Sequence, residues 1–170
     1  PVDHLYASTI FIPFVESLKL DNLTIASPDM GGSKRAYAYS KFLKSDVVIC
    51  YKQRSKSNII SHMEVIGEVK GKNIILVDDM VDTAGTLTKA ADLMIERGAK
   101  SVRAICTHAI LSGNAVEKIE NSNLLELIVT DSIPSKQSSQ KIRILSCAPL
   151  FSEVMKNVHN NLSISSNFIT

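Results

Sequence analysis

The chain has 170 residues, a formal net charge of +2 and 45% hydrophobic residues, which suits a single globular domain. The charge balance gives no indication that nucleic acid or a membrane surface is a partner. No apolar run is long enough to span a bilayer, and the N-terminus lacks the charged start and cleavage pattern of a signal peptide. The sequence therefore predicts a cytoplasmic protein.

Short runs rich in Val, Ile and Leu recur along the chain and alternate with helical patterns. Such nearly continuous apolar runs are typical of strands that are covered on both faces of a sheet. The sequence predicts strands at residues 23–27, 46–51, 73–78, 101–108, 125–131 and 141–146.

Helical periodicity separates several of these strands. One apolar stripe runs from Ile10 to Leu18, and a second runs from Leu87 to Ile95 and is followed by Gly98, where a C-cap is expected. A last helix is predicted at 149–159. Strand and helix in repetition predict one α/β domain over residues 1–170, with a mainly parallel sheet and helices on both faces.

The cysteines and histidines form no metal-binding pattern. Cys50, Cys106 and Cys147 are odd in number, far apart and set in apolar runs, which predicts buried free thiols in a reducing compartment. His108 ends a predicted strand, where it either lines a site or has a structural role.

The stretch LVDDMVDTAGTL, residues 76–87, places Asp78, Asp79 and Asp82 between a predicted strand and a predicted helix. Ligands of such sheets bind beyond the carboxyl ends of the strands, near a topological switch point. The unpaired N–H groups and the dipole at a helix N-terminus favour a phosphate, and Thr83–Thr86 occupy that position. Carboxylates nearby accept hydrogen bonds from sugar hydroxyls or orient a hydrated Mg²⁺.

An acidic helix cap is the structural alternative, since Asp82 or Thr83 would then simply start the helix. Capping accounts for one acid and leaves Asp78 and Asp79 at the end of a buried strand, where charge is costly without a partner. The pattern therefore favours a site for a phosphorylated ribose. GEVKGKN, at 67–73, departs from phosphate-loop spacing and is predicted to be a turn.

Two further segments carry candidate ligand-binding residues. SPDMGGSKRA, at 27–36, follows the first strand, and its glycines let N–H groups approach a polyphosphate while Arg35 can pair with phosphate oxygens; an ordinary turn is the alternative. YKQRSKSN, at 51–58, is basic and polar, and it is either a solvated surface loop or a mobile lid that stabilises charge on transferring phosphate groups.

Taken together, these motifs resemble the ribose-phosphate pyrophosphokinase family. The acidic stretch is similar to the phosphoribosyl pyrophosphate fingerprint of the type I phosphoribosyltransferase fold, and further matches follow in family order over nearly the whole chain. These matches are VDHLYAS (2–8), SPDMGGSKRA (27–36), YKQRSKSN (51–58), GEVKGKNIILVDDMVDTAGT (67–86), THAILSGNA (107–115), VTDSIP (129–134) and SISSNF (163–168).

The resemblance implies an enzyme that makes phosphoribosyl pyrophosphate from ribose 5-phosphate and ATP with Mg²⁺. It places catalytic residues at Lys52 and Arg54 and the metal at Asp29. It assigns ribose 5-phosphate to Asp78, Asp79, Asp82, Thr83, Ala84, Gly85 and Thr86. It assigns ATP or its pyrophosphate to Asp29, Gly31, Gly32, Arg35 and Asn58. It places an allosteric site at Ser163 and Ser165.

The resemblance also implies a departure from the family pattern. Family enzymes carry a further domain before the VDHLYA position, which supplies much of the adenine site and a metal-binding histidine, so this sequence resembles their C-terminal half. Family members assemble as dimers and hexamers, and a homo-oligomer is expected of the full-length protein. Two alternatives are a non-catalytic regulatory subunit and a phosphoribosyltransferase that consumes phosphoribosyl pyrophosphate.

Overall fold

The computed structural model describes residues 2–56, 59–134 and 139–168, with side chains 53–56 and 59–62 left out of the description. Strands and helices alternate over most of this length. The elements are α1 Ser8–Ser17, β1 Leu23–Ser27, α2 Ser33–Leu43, β2 Asp46–Lys56, β3 Ile59–Ile66, β4 Asn73–Val81, α3 Gly85–Glu96, β5 Ser101–Ala109, α4 Ala115–Asn121, β6 Glu126–Thr130, β7 Ile142–Leu145, α5 Ala148–His159 and a 3₁₀ turn Ser165–Asn167.

The strands form one sheet in the order β3-β2-β1-β4-β5-β6-β7. All described neighbours pair in parallel except β2 and β3, which are antiparallel. The chain leaves β1 for β2 on one side and returns to β4 on the other, so β1 and β4 flank the switch point. Their register pairs Ala26 with Leu76, which sets segments 28–32 and 78–86 side by side at the carboxyl edge.

Strand β4 separates two apolar layers because its side chains alternate between the faces of the sheet. Ile74 and Leu76 pack with Met94 of α3 in a cluster that also contains α4 residues. Ile75 and Val77 lie in the opposite cluster with residues of α1 and α2. The predicted α/β class, with a mainly parallel sheet and helices on both faces, is confirmed.

The predicted strands and the three predicted helices are all present, with small shifts of their ends. Gly98 follows α3 with a φ of +89°, the left-handed conformation that glycine adopts after a helix. Segment 67–72 connects β3 to β4 without regular structure, as the predicted turn requires. Across the described ranges, no helix combines the length and the apolar character needed to cross a bilayer.

The prediction of a loop is wrong for residues 51–56, which continue β2 and pair with β3. These residues are polar because the hairpin lies at the edge of the sheet, where a strand does not need the apolar pattern of a buried one. Ser57 and Asn58 lie outside the described residues, so the lid prediction is untested there. Strand β4 is also longer than predicted and contains Asp78 and Asp79.

The cysteine prediction is correct for two of the three positions. Cys50 and Cys106 are buried free thiols, whereas Cys147 is only half-buried because it lies just before α5 instead of inside a strand. Burial raises the pKa of the Cys50 thiol to about 12 and also raises that of Cys106. These two thiols therefore stay protonated and unreactive at neutral pH.

The two apolar layers predict that two isoleucines contribute unequally to the free energy of unfolding. Ile75 is fully buried in β4, while Ile66 of β3 is 56% exposed. We expect Ile75→Ala to lower the free energy of unfolding by about 2–5 kcal/mol, because it removes transfer energy and leaves a cavity. The control Ile66→Ala makes the same chemical change and should cost far less. Urea denaturation of both variants measures this, and equal losses would contradict the layer assignment.

Candidate active site at the ends of β1 and β4

Arg35, in the first turns of α2, bridges the two adjacent acids of β4. Its Nη1 lies 3.2 Å from Asp78 Oδ1 and its Nη2 lies 2.9 Å from Asp79 Oδ2. Consecutive side chains of a strand point to opposite faces, and the planar guanidinium spans this divergence at the strand's end. Arg35 and the two acids, which are 43 residues apart at the closest, therefore form one charged cluster.

The two acids differ in their tendency to ionise. Burial raises the pKa of Asp78 to about 6, and the neighbouring Asp79 carboxylate acts in the same direction. Partial burial also opposes ionisation of Asp79, but the charge of Arg35 and local hydrogen bonds outweigh it and lower the pKa of Asp79. At neutral pH Asp79 is the more readily ionised acid, and its side chain is 54% exposed.

The segment Asp82–Thr86 turns from β4 into α3. Ala84 is the N-cap and has a φ of 59°, a left-handed conformation that costs a non-glycine residue about 1–3 kcal/mol. The first intrahelical bond runs from the Thr88 N–H to the Ala84 carbonyl, and no side chain caps the helix. The structural alternative, in which Asp82 or Thr83 caps α3, is therefore wrong.

The segment after β1 is folded tightly around Asp29. The Gly32 N–H donates to Asp29 Oδ1 at 3.1 Å, and the Ser27 hydroxyl donates to the Asp29 carbonyl at 2.6 Å. A Cβ atom on Gly32 would lie only 2.6 Å from Ser27 Oγ. A side chain at this position would force Ser27 or the backbone to shift, so glycine lets α2 and Arg35 lie close to β1.

Lys52 joins the cluster from β2, the other neighbour of β1. Its Nζ lies 2.6 Å from Asp29 Oδ2, and its side chain is only 16% exposed. Burial works against the charge of Asp29, but the hydrogen bond and charge of Lys52 together with the Gly32 N–H outweigh it and lower the carboxyl's pKa. Asp29 therefore carries a negative charge that already attracts a cation.

Asp29 is the predicted Mg²⁺ ligand. Within the described ranges, no three His, Cys, Asp or Glu side chains lie together as a metal site would require. Mg²⁺ commonly binds through one or two carboxylates together with substrate phosphates and waters. A single ionised carboxylate fits that mode, and an ion bound to it would compete with the Lys52 ammonium.

The structure thus brings most of the predicted site residues to one edge of the sheet. Asp29, Arg35 and Lys52 lie there with the acids of β4. The side chain of Arg54 and all of Asn58 lie outside the described part of the chain. Ser163 Oγ and Ser165 Oγ are 2.9 Å apart in the C-terminal segment, and no described hydrogen bond links them to Asp78–Thr86.

A cavity of about 1110 Å³ opens beside this cluster. Its polar end includes Arg35, Asp79 and His108. His108 Nδ1 lies 2.9 Å from Ser132 Oγ, so His108 lines the cavity and also has a structural partner. The structural alternative for this residue is confirmed, and its place in a ligand site stays a prediction.

Sequence reasoning missed two contacts behind the segment Asp82–Thr86. The Ser112 N–H donates to the Asp82 carbonyl at 3.0 Å, and Lys118 Nζ donates to the Thr83 carbonyl at 3.1 Å. Neither residue has a local pattern that points to the segment, because each contact joins positions about 30 residues apart. Only the pairing of β4 with β5 brings them together.

The arrangement offers three kinds of interaction to a ligand. The N–H groups at the start of α3 suit an anion, the carboxylates of β4 accept hydrogen bonds from hydroxyls, and Arg35 and Lys52 are cations suited to phosphate oxygens. Such a set stabilises negatively charged groups and holds them in a fixed orientation.

Known proteins resemble this chain in sequence and in fold. A ribose-phosphate pyrophosphokinase of Porphyromonas gingivalis is 51% identical over 166 residues, which are 97% of this chain and 53% of that protein. The phosphoribosylpyrophosphate synthetase of Mycobacterium smegmatis superposes with a TM-score of 0.85 at 31% identity, covering 95% of this chain and 53% of that one. The chain spans about half the length of the curated relatives it matches.

A more distant likeness concerns the fold alone. The purine phosphoribosyltransferase of Pyrococcus horikoshii superposes with a TM-score of 0.52 at 18% identity, covering 82% of this chain and 84% of that one. The predicted resemblance to the type I phosphoribosyltransferase fold and to ribose-phosphate pyrophosphokinases is confirmed. The chain belongs to the phosphoribosyl synthetase-associated domain family, which matches its residues 47–169.

Proposed function

We propose that the chain contributes the ribose 5-phosphate site of a ribose-phosphate diphosphokinase. This enzyme transfers the diphosphoryl group of Mg-ATP to the 1-hydroxyl of ribose 5-phosphate, giving 5-phosphoribosyl 1-pyrophosphate and AMP. The observation that carries the proposal is the position of the uncapped start of α3 next to Asp78 and Asp79. The start of the helix suits a phosphate, and the two acids suit a neighbouring diol.

Ribose 5-phosphate would place its phosphate on Asp82–Thr86 and its ring hydroxyls on the acids of β4. Asp79 has acceptor capacity for this, because each carboxylate oxygen has two lone pairs and the side chain is 54% exposed. Its Oδ1 accepts the Met80 N–H and its Oδ2 faces Arg35, so both oxygens keep a lone pair. Arg35 would hold the carboxylate oriented while the hydroxyls donate to it.

The diphosphoryl group of ATP would lie over the segment after β1. Gly31 and Gly32 let N–H groups approach the phosphate oxygens, and Arg35 and Lys52 would neutralise their charge. Asp29 would hold Mg²⁺, which offsets negative charge on the phosphates when bound. Arg54 and Asn58 are assigned to this half of the site by resemblance alone.

The chain's contribution to the rate would be positioning and charge stabilisation. The 1-hydroxyl oxygen attacks the β-phosphorus as the bond to the α-phosphate oxygen breaks, and negative charge spreads over the phosphate oxygens. Lys52 and Arg35 are well placed to stabilise that charge because both are partly removed from water. The rest of the rate enhancement would come from holding the two substrates in line.

Four further assignments belong to this proposal. Residues 1–170 form a single phosphoribosyltransferase-like domain, supported by one sheet that contains every described strand. The protein works in the cytoplasm, and the full-length protein is a homo-oligomer. Ser163 and Ser165 contribute to a regulatory site. The cytoplasmic assignment rests on the sequence composition, and the homo-oligomer and the regulatory site rest on the resemblance to the enzyme family.

AMP formation tests the activity directly. The natural-length protein and the 170-residue chain are incubated side by side with ATP, Mg²⁺ and ribose 5-phosphate, and AMP is quantified. Equal amounts of AMP and phosphoribosyl pyrophosphate are expected from the natural-length protein. Binding without AMP in both samples would favour the regulatory-subunit alternative, and base-dependent release of pyrophosphate would favour the phosphoribosyltransferase alternative.

The acids of β4 generate a binding prediction. We expect Asp79→Asn to raise the Kd for ribose 5-phosphate roughly tenfold or more, since hydrogen bonds to a charged group are worth about 1.5–3 kcal/mol. Asp46→Asn is the matched control, because Asp46 pairs with Lys72 at the amino end of β2, on the opposite edge of the sheet. Isothermal titration calorimetry measures both, and an unchanged Kd for Asp79→Asn would refute the assignment.

Asp78 generates a pH prediction. Its pKa is raised from 3.8 to about 6 in the folded chain, so the folded state favours the protonated form. The stability that Asp78 contributes is therefore fully present below about pH 4 and is lost as the pH rises through about 6. Relative to Asp78→Asn, the wild type should lose free energy of unfolding between pH 4 and pH 7. Urea denaturation across this range checks it, and parallel curves would contradict the buried-acid assignment.

The diphosphoryl segment generates a prediction about Gly32. We expect Gly32→Ala to lower the free energy of unfolding by about 1–3 kcal/mol, because its Cβ meets Ser27 Oγ at 2.6 Å. The penalty should shrink in a Ser27→Ala background, where that oxygen is gone. Gly31→Ala is the control, since its nearest contact is Asp29 Oδ1 at 3.3 Å. Thermal and urea unfolding measure the four variants, and an equal penalty in both backgrounds would rule out the steric explanation.

A further inference from the structure

The backbone of Asp82–Thr86, the proposed phosphate-binding segment, is anchored from its far side by the chain between β5 and the end of α4. The N–H groups of Ile110 and Leu111 donate to the Val81 carbonyl at 3.0 and 3.1 Å, and the Ser112 N–H donates to the Asp82 carbonyl at 3.0 Å. Lys118 Nζ then donates to the Thr83 carbonyl at 3.1 Å. Three consecutive carbonyls of the turn from β4 to α3 are thus held by one neighbouring segment.

Anchoring these carbonyls also fixes the direction of the N–H groups that follow them. In a planar trans peptide, the C=O of one residue and the N–H of the next point to opposite sides. Holding the carbonyls of Asp82 and Thr83 toward α4 therefore turns the N–H groups of Thr83 and Ala84 away from α4. A ligand phosphate placed on that side meets donors that are already oriented.

Each of the two connected segments contains one non-glycine residue in a left-handed backbone conformation. Ala84 has a φ of 59° and Leu111 a φ of 53°, and each such non-glycine residue costs about 1–3 kcal/mol. Leu111 is only 5% exposed, so its side chain is anchored in the core while its N–H reaches β4. The surrounding contacts must outweigh the cost of both residues.

We propose that Lys118 is a positioning residue for the phosphate-binding segment, a role that rests on the proposed binding of ribose 5-phosphate. Its ammonium fixes the Thr83 carbonyl and, through the rigid peptide, the Ala84 N–H. The same ammonium places a positive charge against Thr83, which belongs to the segment proposed to bind the phosphate. Lys118 is the link in this chain of contacts that a side-chain substitution can remove, because the others are backbone donors.

A purely structural role is the competing explanation. Lys118 lies in the last turn of α4, where a cation interacts favourably with the helix dipole. Such a role would affect the stability of α4 and would not act selectively on the affinity for ribose 5-phosphate. It would also affect both substrates alike, whereas a positioning role acts only on the ligand that carries the sugar phosphate.

The test uses the natural-length protein with three variants. Lys118→Met should raise the Kd and the KM for ribose 5-phosphate on the order of tenfold, as expected for a charge-assisted bond, and leave the KM for ATP within about twofold. Lys118→Arg keeps a charged donor and should restore most of the affinity. Lys100→Met is the charge-matched control, because Lys100 pairs with Asp21 at the amino edge of the sheet.

The outcomes separate this inference from the proposed function. Wild-type binding of ribose 5-phosphate with an unchanged Kd in Lys118→Met would overturn the positioning role alone. Equal changes in both KM values, with no rescue by arginine, would assign Lys118 a structural role. Absence of wild-type binding would overturn the proposed function together with the inference. If Lys118→Met fails to fold, Lys118→Gln carries the same measurements, because it removes the charge and keeps a polar helix-forming side chain.

Discussion

The contact of Arg35 with two adjacent carboxylates is the interaction on which the charged edge depends. Asp78 is 26% exposed and lies next to a second acid, so ionisation of both would be opposed by burial and by repulsion. One guanidinium within 3.2 Å of each carboxylate opposes these costs, although burial still raises the pKa of Asp78. Removing Arg35 would raise the pKa of Asp78 further and so favour its neutral form, and an uncharged acid is a weaker acceptor for a sugar hydroxyl.

Topology explains why these charges meet. Asp29, Lys52 and Asp78 belong to segments at the ends of three adjacent strands, and β1 lies between the other two. The alternation of Ile74 to Val77 between two apolar layers fixes the face and register of β4, and a slip of one residue would invert every side chain. The apolar core therefore determines which acid is buried beside Arg35 and which is exposed to a ligand.

Most of the strands and helices could be predicted from the sequence, because buried strands and the start of α3 carry strong local patterns. The β2–β3 hairpin could not, since its residues 51–56 are polar and an edge strand carries little apolar periodicity. The partners of the site residues were also hidden. Arg35 and the acids are 43 residues apart at the closest, and the Lys118–Thr83 bond spans 35 positions. Such contacts depend on tertiary packing, which local patterns do not encode.

The two sides of the site differ in how their groups are held, and this has a consequence for binding. The start of α3 is fixed by backbone bonds from segment 110–112 and by Lys118, so a phosphate would bind there without having to order the chain. Asp29 pairs with Lys52 and also accepts the Gly32 N–H, so a cation that binds Asp29 would compete with the Lys52 ammonium. Under the proposed function, the sugar phosphate would meet a ready site, whereas Mg-ATP would exchange one ion pair for others. The cost of separating Lys52 from Asp29 therefore falls on the nucleotide alone, and its release would return the lysine to the aspartate.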